Sequence, residues 1–326
     1  MKEAAAHFSV PLVDLGDTDS RFTGIFSPVP ELGRSRSGIT EQFLGNAEEY
    51  HQRFSDSDYF RSLIEEALSA TPLAAQAPLI LDLGSGSGNS VWPCLDLFPE
   101  AQIIATDLSP NLLSILRDHA ATRDNDKARL NAICMDVTRD YFLSDRFDFA
   151  VGAAILHHLI DPIAALKAVH NALKPGAIAL FFEPFENGNA ILTMAYEDII
   201  TQACSRSLRE DVHAFLSRMV NDFRVRMAIH PGQALLEELD DKWMFTRQWF
   251  ERAGEVCGYS EVIIQPLHEL EQPFANQTRA NLNMGLGLAP DVLPDWAWAI
   301  IDRFDRSFSR DLRADLLIEG RVVMRK

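Results

Sequence analysis

The sequence predicts an α/β chain built on a doubly wound sheet, and three observations carry that prediction. An apolar strand over Leu79–Leu83 runs into glycines at alternate positions, Gly84, Gly86 and Gly88. A second apolar run from Ala101 ends at Asp107, nineteen residues after Gly88. Strand-like and helix-like stretches then alternate, as crossover units require.

The glycine turn is the first element to justify. Residues 79–90 read Leu-Ile-Leu-Asp-Leu-Gly-Ser-Gly-Ser-Gly-Asn-Ser, a strand, a tight turn and a helix start. Glycines there let a nucleotide-like ligand lie close to backbone N–H groups. A Gly-x-Gly-x-x-Gly dinucleotide fingerprint would need glycine at Asn89. No Lys-Ser/Thr pair follows the last glycine, which excludes a P-loop, and a nucleophile elbow would need serine at Gly86. What remains is acidic-x-Gly-x-Gly-x-Gly, with a nicotinamide dinucleotide kept as an alternative ligand because such turns vary.

Asp107 narrows the ligand further. A carboxylate closing the second strand of a doubly wound fold can accept both ribose hydroxyls and repels a 2′-phosphate. Ser109 then reads as the N-cap and Pro110 as the first residue of a helix over 111–121. Leu130–Met135 reads as a third strand, and Phe147–Val151 as a fourth. Asp161-Pro162 opens a periodic helix to Leu173, and Lys174-Pro175-Gly176 stops it before a fifth strand, Ala177–Phe182.

On Asp82 through Gly88, Asp107, His157-His158-Leu159, Asp161-Pro162 and Leu173-Lys174-Pro175-Gly176, the chain resembles the class I S-adenosylmethionine (SAM)-dependent methyltransferases. The match is to their large small-molecule branch, type 11/12-like, and it covers roughly residues 78–184. The resemblance implies a Rossmann-like doubly wound seven-stranded sheet with the last strand antiparallel. It implies SAM as cofactor, S-adenosyl-L-homocysteine as product and an activity of the EC 2.1.1 class. Cofactor contacts then fall to Asp82, Gly84, Ser85, Gly86, Gly88, Asn89, Asp107, Leu108 and Ala153, and to Asp136 and Val137 beside the adenine. Ala177, where many relatives carry a second glycine, departs from the pattern at a turn.

Around that core the sequence predicts additions. Residues 1–75 form a loop-rich arm followed by helices near 40–54 and 58–70, with Tyr50 and His51 as candidate lid residues. Residues 76–184 are the cofactor-binding core, 185–245 a helical cap insertion, 246–266 the returning core helix and sixth strand, 267–315 a second cap insertion, and 316–326 the final strand. Apolar spacing predicts cap helices over 190–203 and 208–227, and Trp296, Trp298, Phe304 and Phe308 mark another. Such stripes fit a cap core, contact with the acceptor, or a homodimer interface.

Composition sets outer bounds. With 326 residues, 47% hydrophobic, the chain can bury a large core, and a net charge of −17 disfavours nucleic acid and anionic membranes as partners. Cys94, Cys134, Cys204 and Cys257 form no Cys-x-x-Cys pair, so neither disulfides nor a zinc site are expected. With no signal-like segment after Met1 and no apolar stretch near the roughly eighteen residues of a membrane span, a cytoplasmic address is expected.

The sulfonium methyl of SAM is already electrophilic, so the protein has to align an acceptor lone pair and exclude water. An acceptor hydroxyl or ammonium also needs a base. His157, His158 and Glu183, after the fourth and fifth strands, are the catalytic candidates; histidine suits the task because its unperturbed pKa lies near 6.5. Each has a structural alternative, as a motif residue beside the cofactor or as a strand-end cap. His230, before Pro231-Gly232, reads as a loop residue, and no metal ligand set is expected. The expected activity is methyl transfer to an O or N atom of a small metabolite. The alternatives are a SAM-binding protein that assists a rearrangement, elimination or decarboxylation, and a non-catalytic SAM-binding interaction module.

Overall fold

The computed structural model describes residues 2–31, 46–123, 126–227, 237–289 and 292–326. Among the described residues nine strands, the first two β1 (Leu12–Asp14) and β2 (Ile25–Pro28), form one sheet in the order β1-β2-β5-β4-β3-β6-β7-β9-β8. β3 (Leu79–Leu83) is central, with β4 (Gln102–Asp107) and β5 (Leu130–Cys134) on one side and β6 (Phe147–Ala153) and β7 (Leu173–Pro184) on the other, all parallel. β9 (Glu319–Arg325) runs antiparallel between β7 and β8 (Glu261–Pro266). Strand order reverses direction at the β3/β6 boundary, the crevice where open α/β sheets take ligands.

Alternation along the strands builds two core layers. In β3, Leu81 and Leu83 join Ile104, Ile133, Ala150 and Leu166 on one face, while Ile80 joins Trp92, Leu113, Leu116 and Phe149 on the other. Helices α1 (Ala47–Phe54), α2 (Ser57–Ala70), α3 (Val91–Leu97), α4 (Pro110–Ala120) and α5 (Pro162–Ala172) flank the sheet. The capping chemistry holds: the Ser109 hydroxyl accepts from Leu112 N–H with Pro110 leading α4, and Asp161 caps α5 at Ala164 N–H.

Three expectations are corrected. The sheet has nine strands, not seven, because the arm expected to be loop-rich contributes β1 (Leu12–Asp14) and β2 (Ile25–Pro28), with β2 pairing parallel to β5. Short strands among glycines and prolines carry too few alternations to be read. β7 begins at Leu173, since the Lys-Pro-Gly segment stays within the strand and the register against β6 shifts between Phe147 and Phe149. β9 starts at Glu319 rather than Leu316. Residues 40–45 of the first expected helix lie outside the described residues.

The insertions form a helical layer with its own core. α6 (Glu186–Gln202), α7 (Glu210–Arg226), α9 (Pro273–Leu286) and α10 (Asp295–Ser307) bury Leu192, Tyr196, Phe215, Leu216, Phe274, Leu282 and Ile301 together. α8 (Arg247–Cys257) lies between these pairs in sequence; it is capped by the Thr246 hydroxyl and ends at Gly258 in the left-handed conformation. The aromatic and methionine stripes are mainly cap core, while Met219 and Phe223 also face a cavity.

Candidate active site

Beyond β3 the chain turns through Gly84, Gly86 and Gly88 with φ of +61°, +51° and +114°. Conformation requires glycine at all three, but their surroundings differ. A Cβ on Gly84 would meet the Ile155 side chain at 2.4 Å, and one on Gly88 the Trp92 indole at 2.4 Å. A Cβ on Gly86 would meet nothing within 4 Å, so the turn opens there toward a ligand. Asp107 at the end of β4 fixes this geometry: its carboxylate accepts from Gly86 N–H at 2.9 Å and Ser109 N–H at 2.7 Å.

A cavity of ≈670 Å³ lies over this turn, lined by Gly84, Ser85, Gly86, Asn89, Asp107, Leu108, Val137, Ala153 and Tyr50 among others. Asp82 lies fully buried beneath it, and neither carboxylate oxygen has a hydrogen bond of ordinary geometry. Burial raises the Asp82 pKa to about 8, against a small opposing effect of the Ser90 hydroxyl, and the Asp107 charge adds to the rise. Asp82, Gly88 and Asp136 do not line the cavity. The Asp136 carboxylate instead accepts from the Thr138 N–H at 2.9 Å and hydroxyl at 2.6 Å, while its neighbours Met135 and Val137 form the wall. His51 holds the lid to the turn through Nδ1, 2.8 Å from the Ser87 hydroxyl, and Asn89 Oδ1 accepts from Asp56 N–H.

A second cavity of ≈790 Å³ opens between the sheet and the cap. Tyr50, Tyr59, Phe60, Ala154, His158, Asp240 and Met284 line both cavities, so the two are separated by a single layer of side chains. The turn after β6 supplies Ala154 and His158 of that layer, and Ala154 takes the left-handed conformation there at φ +57°. Glu183, at the end of β7, holds the turn from below. Its carboxylate accepts from Ile155, Leu156 and His157 N–H at 3.0, 2.7 and 3.2 Å, and from His157 Nδ1 at 2.6 Å. His157 Nε2 lies 3.6 Å from Asp241, whose other oxygen is 3.2 Å from Arg226 Nη1, and Arg226 also reaches Asp222 at 3.2 Å. The His158 ring lies 4.0 Å from that of His157, and its Nδ1 donates to the Asp240 carbonyl at 3.0 Å, which leaves the lone pair on Nε2.

Comparison with known proteins agrees with this geometry. Residues 81–179 match the family model described as a methyltransferase domain. The chain carries a class I SAM-dependent methyltransferase domain. An uncharacterized protein of Synechococcus sp. is 32% identical over 209 residues, covering 56% of this chain and 49% of that one. A ubiquinone biosynthesis O-methyltransferase of Cereibacter sphaeroides is 28% identical over 109 residues, 33% of this chain and 42% of that protein. The chain thus spans less than half the length of these curated relatives. The solved SAM complex of a Haemonchus contortus phosphoethanolamine N-methyltransferase superposes with a TM-score of 0.51 at 14% identity, covering 92% of this chain and 62% of that one. A Haloferax volcanii methyltransferase solved with its Trm112 activator gives 0.51 at 15%, covering 88% and 98%. These two likenesses are of fold.

Protonation within the site follows from the network. Burial alone would lower the His157 pKa, but the Glu183 and Asp241 carboxylates override it and raise it to about 9, so His157 is an imidazolium at neutral pH. Burial and that neighbouring cation lower His158 to about 3, so it is neutral. Asp241 stays ionised well below the usual carboxylate range: burial opposes this, but His157 and Arg226 prevail. His157, His158 and Asp241 present donor atoms within 4.8 Å of one another, a set that could hold a metal ion. Here Arg226 and the imidazolium already supply positive charge to Asp241, and both imidazole Nδ1 atoms are engaged. The arrangement is that of an ion-pair network.

The three catalytic candidates therefore stand apart. Glu183 accepts four bonds in the wall, His157 is held between two carboxylates, and His158 borders both cavities. Sequence reasoning missed Asp240, Asp241, Arg226 and Glu319, which come from the cap insertions and the start of the last strand; only their placement joins them to the site. His230 lies outside the described residues.

Proposed function

We propose that this chain transfers a methyl group from SAM to an O or N atom of a small molecule held in the second cavity. The observation that carries the reading is the shared wall: a cofactor-sized cavity over the glycine turn abuts a second, cap-covered cavity across Tyr50, Ala154, His158 and Asp240. SAM supplies an electrophilic methyl carbon, which an acceptor lone pair takes while the C–S bonding pair stays on sulfur. The site fits that cofactor at Gly86, which leaves open space where the chain must be approached.

The chain's own residues then divide the work. Asp107 holds the ribose diol, and Leu108, Met135 and Val137 flank the base. Tyr50 keeps its phenol neutral, because burial and then Asp107, Asp241 and Asp240 push its pKa up to about 12, so it closes the cavity as a hydrogen-bonding apolar wall. Glu183 and His157 are positioning residues that fix the turn. His158, kept neutral because burial and the neighbouring imidazolium lower its pKa to about 3, is too weak a base for the acceptor's proton and serves as part of the shared wall. Incubating the purified chain with SAM and fractionated small metabolites, and following S-adenosyl-L-homocysteine, tests the reading. Acceptor-dependent product is expected. Absence of SAM binding would overturn it.

A further inference from the structure

The charges of the second cavity are unequal. Glu183, Asp222, Glu238, Asp240, Asp241 and Glu319 face it, and the fixed cation among its lining residues is Arg226. Arg226 is itself held between Asp222 and Asp241, so its charge does not reach an incoming ligand. Glu183 and Asp241 are likewise matched by the His157 imidazolium. That leaves Glu319, Asp240 and the exposed Glu238, and Asp240 also has the Lys242 ammonium within electrostatic reach. Glu319 receives a hydrogen bond from the Tyr59 hydroxyl, and burial raises its pKa. One oxygen of Asp240 is buried without a hydrogen bond. Aromatic rings of Tyr50, Tyr59, Phe60 and Phe223 line the same space.

We propose that the acceptor is an amine that arrives as its ammonium ion and is seated by Glu319 and Asp240 among these rings. The proposal rests on the methyl-transfer reading for its purpose, but not for its chemistry. An ammonium donates hydrogen bonds to carboxylates and is attracted to aromatic faces, and both are strengthened in a cavity that excludes water. A carboxylate or phosphate ligand would meet a surplus of acidic groups there. A neutral alcohol would bring no positive charge to them. Asp240 borders both cavities and could serve a cationic cofactor as well, whereas Glu319 lines the second cavity and not the first, which makes Glu319 the residue that separates the two uses. An ammonium has no lone pair, so it must lose one proton, to solvent, before it can be methylated.

The test reads binding directly. Calorimetric titration of the full chain in EDTA, without SAM, would compare phenethylamine, 2-phenylethanol and 3-phenylpropanoate, probes of similar size and different charge. The amine should bind about tenfold or more tighter than the alcohol, as a charge-assisted bond warrants, and the acid should not bind. Glu319→Gln, nearly isosteric, should remove most of that preference, and Asp240→Asn part of it, with unchanged melting. Equal binding of amine and alcohol, tighter binding of the acid, or a preference untouched by both substitutions would overturn the proposal. A separate SAM titration keeps the two claims apart: SAM binding without amine preference refutes the amine alone, and amine preference without SAM binding refutes methyl transfer alone.

Discussion

The two cavities are built by opposite strategies. The first is made mostly from short segments at the carboxyl ends of neighbouring strands: the glycine turn after β3, Asp107 and Leu108 after β4, Met135 and Val137 after β5, Ala153 after β6. Each segment follows an apolar strand, so its position is set by local pattern. The second is made from side chains far apart in sequence, Tyr59, His157, Asp222, Asp241 and Glu319, brought together by the cap. The first can therefore be rigid and local, while the second depends on a charge network whose members hold one another in place.

The sharpest way to break this contrast is to remove the anchor of the network. Glu183→Ala would leave three backbone N–H groups and an imidazolium without their acceptor, a loss of about 3–5 kcal/mol of stability by analogy with other broken buried pairs. Denaturant unfolding checks it. A shift below about 1 kcal/mol would mean that the turn is held by other contacts.

Next in size come two glycine substitutions on the local side. Gly88→Ala drives a methyl into the Trp92 ring and should destabilise the fold by about 1–3 kcal/mol, as overpacking does. Gly86→Ala has open space around it and should cost about 1 kcal/mol of backbone strain, with its main effect a weaker SAM affinity. Parallel melting and SAM titrations separate the two; equal effects on both readouts would erase the distinction between structural and ligand-facing glycines.

Protonation gives two smaller and more specific tests. The folded His157 pKa is raised to about 9 above an unfolded value near 6.5, so its stabilisation is fully present below about pH 6.5 and is lost as pH rises through 9. Glu183→Gln should flatten that loss, and a histidine NMR titration would report the pKa directly. Asp82, raised to about 8 by burial above its ordinary value of 3.8, costs stability increasingly as pH rises from about 4 to 8, and Asp82→Asn should flatten that fall. Denaturant unfolding across this range measures it, and an unchanged slope in the variant would contradict it.

The same contrast explains what the sequence made legible. Strand, turn and helix over 79–120 were readable because apolar period, glycine spacing and the Ser109-Pro110 cap agree locally. β1 and β2 were not, being three and four residues long among turn formers. Asp136 was assigned to the base by its place after β5, yet the Thr138 hydroxyl two residues on gives its carboxylate a nearer partner. Glu183 reads from the sequence as a base candidate with a strand-end cap as its alternative, and only the fold shows that its carboxylate accepts four hydrogen bonds from the turn after β6. Nothing around Ala154 in the sequence announces a left-handed residue, and Asp241 and Glu319 carry no motif at all.

The account stands most directly on the first cavity and its diol acceptor. SAM and NAD titrated separately into the wild-type chain, and SAM into Asp107→Ala, are the deciding measurement. A single SAM site without NAD binding is predicted, with affinity reduced by about tenfold or more in the variant, roughly 1.4 kcal/mol or greater. No SAM binding to the wild-type chain, or equal affinity in the variant, would contradict it.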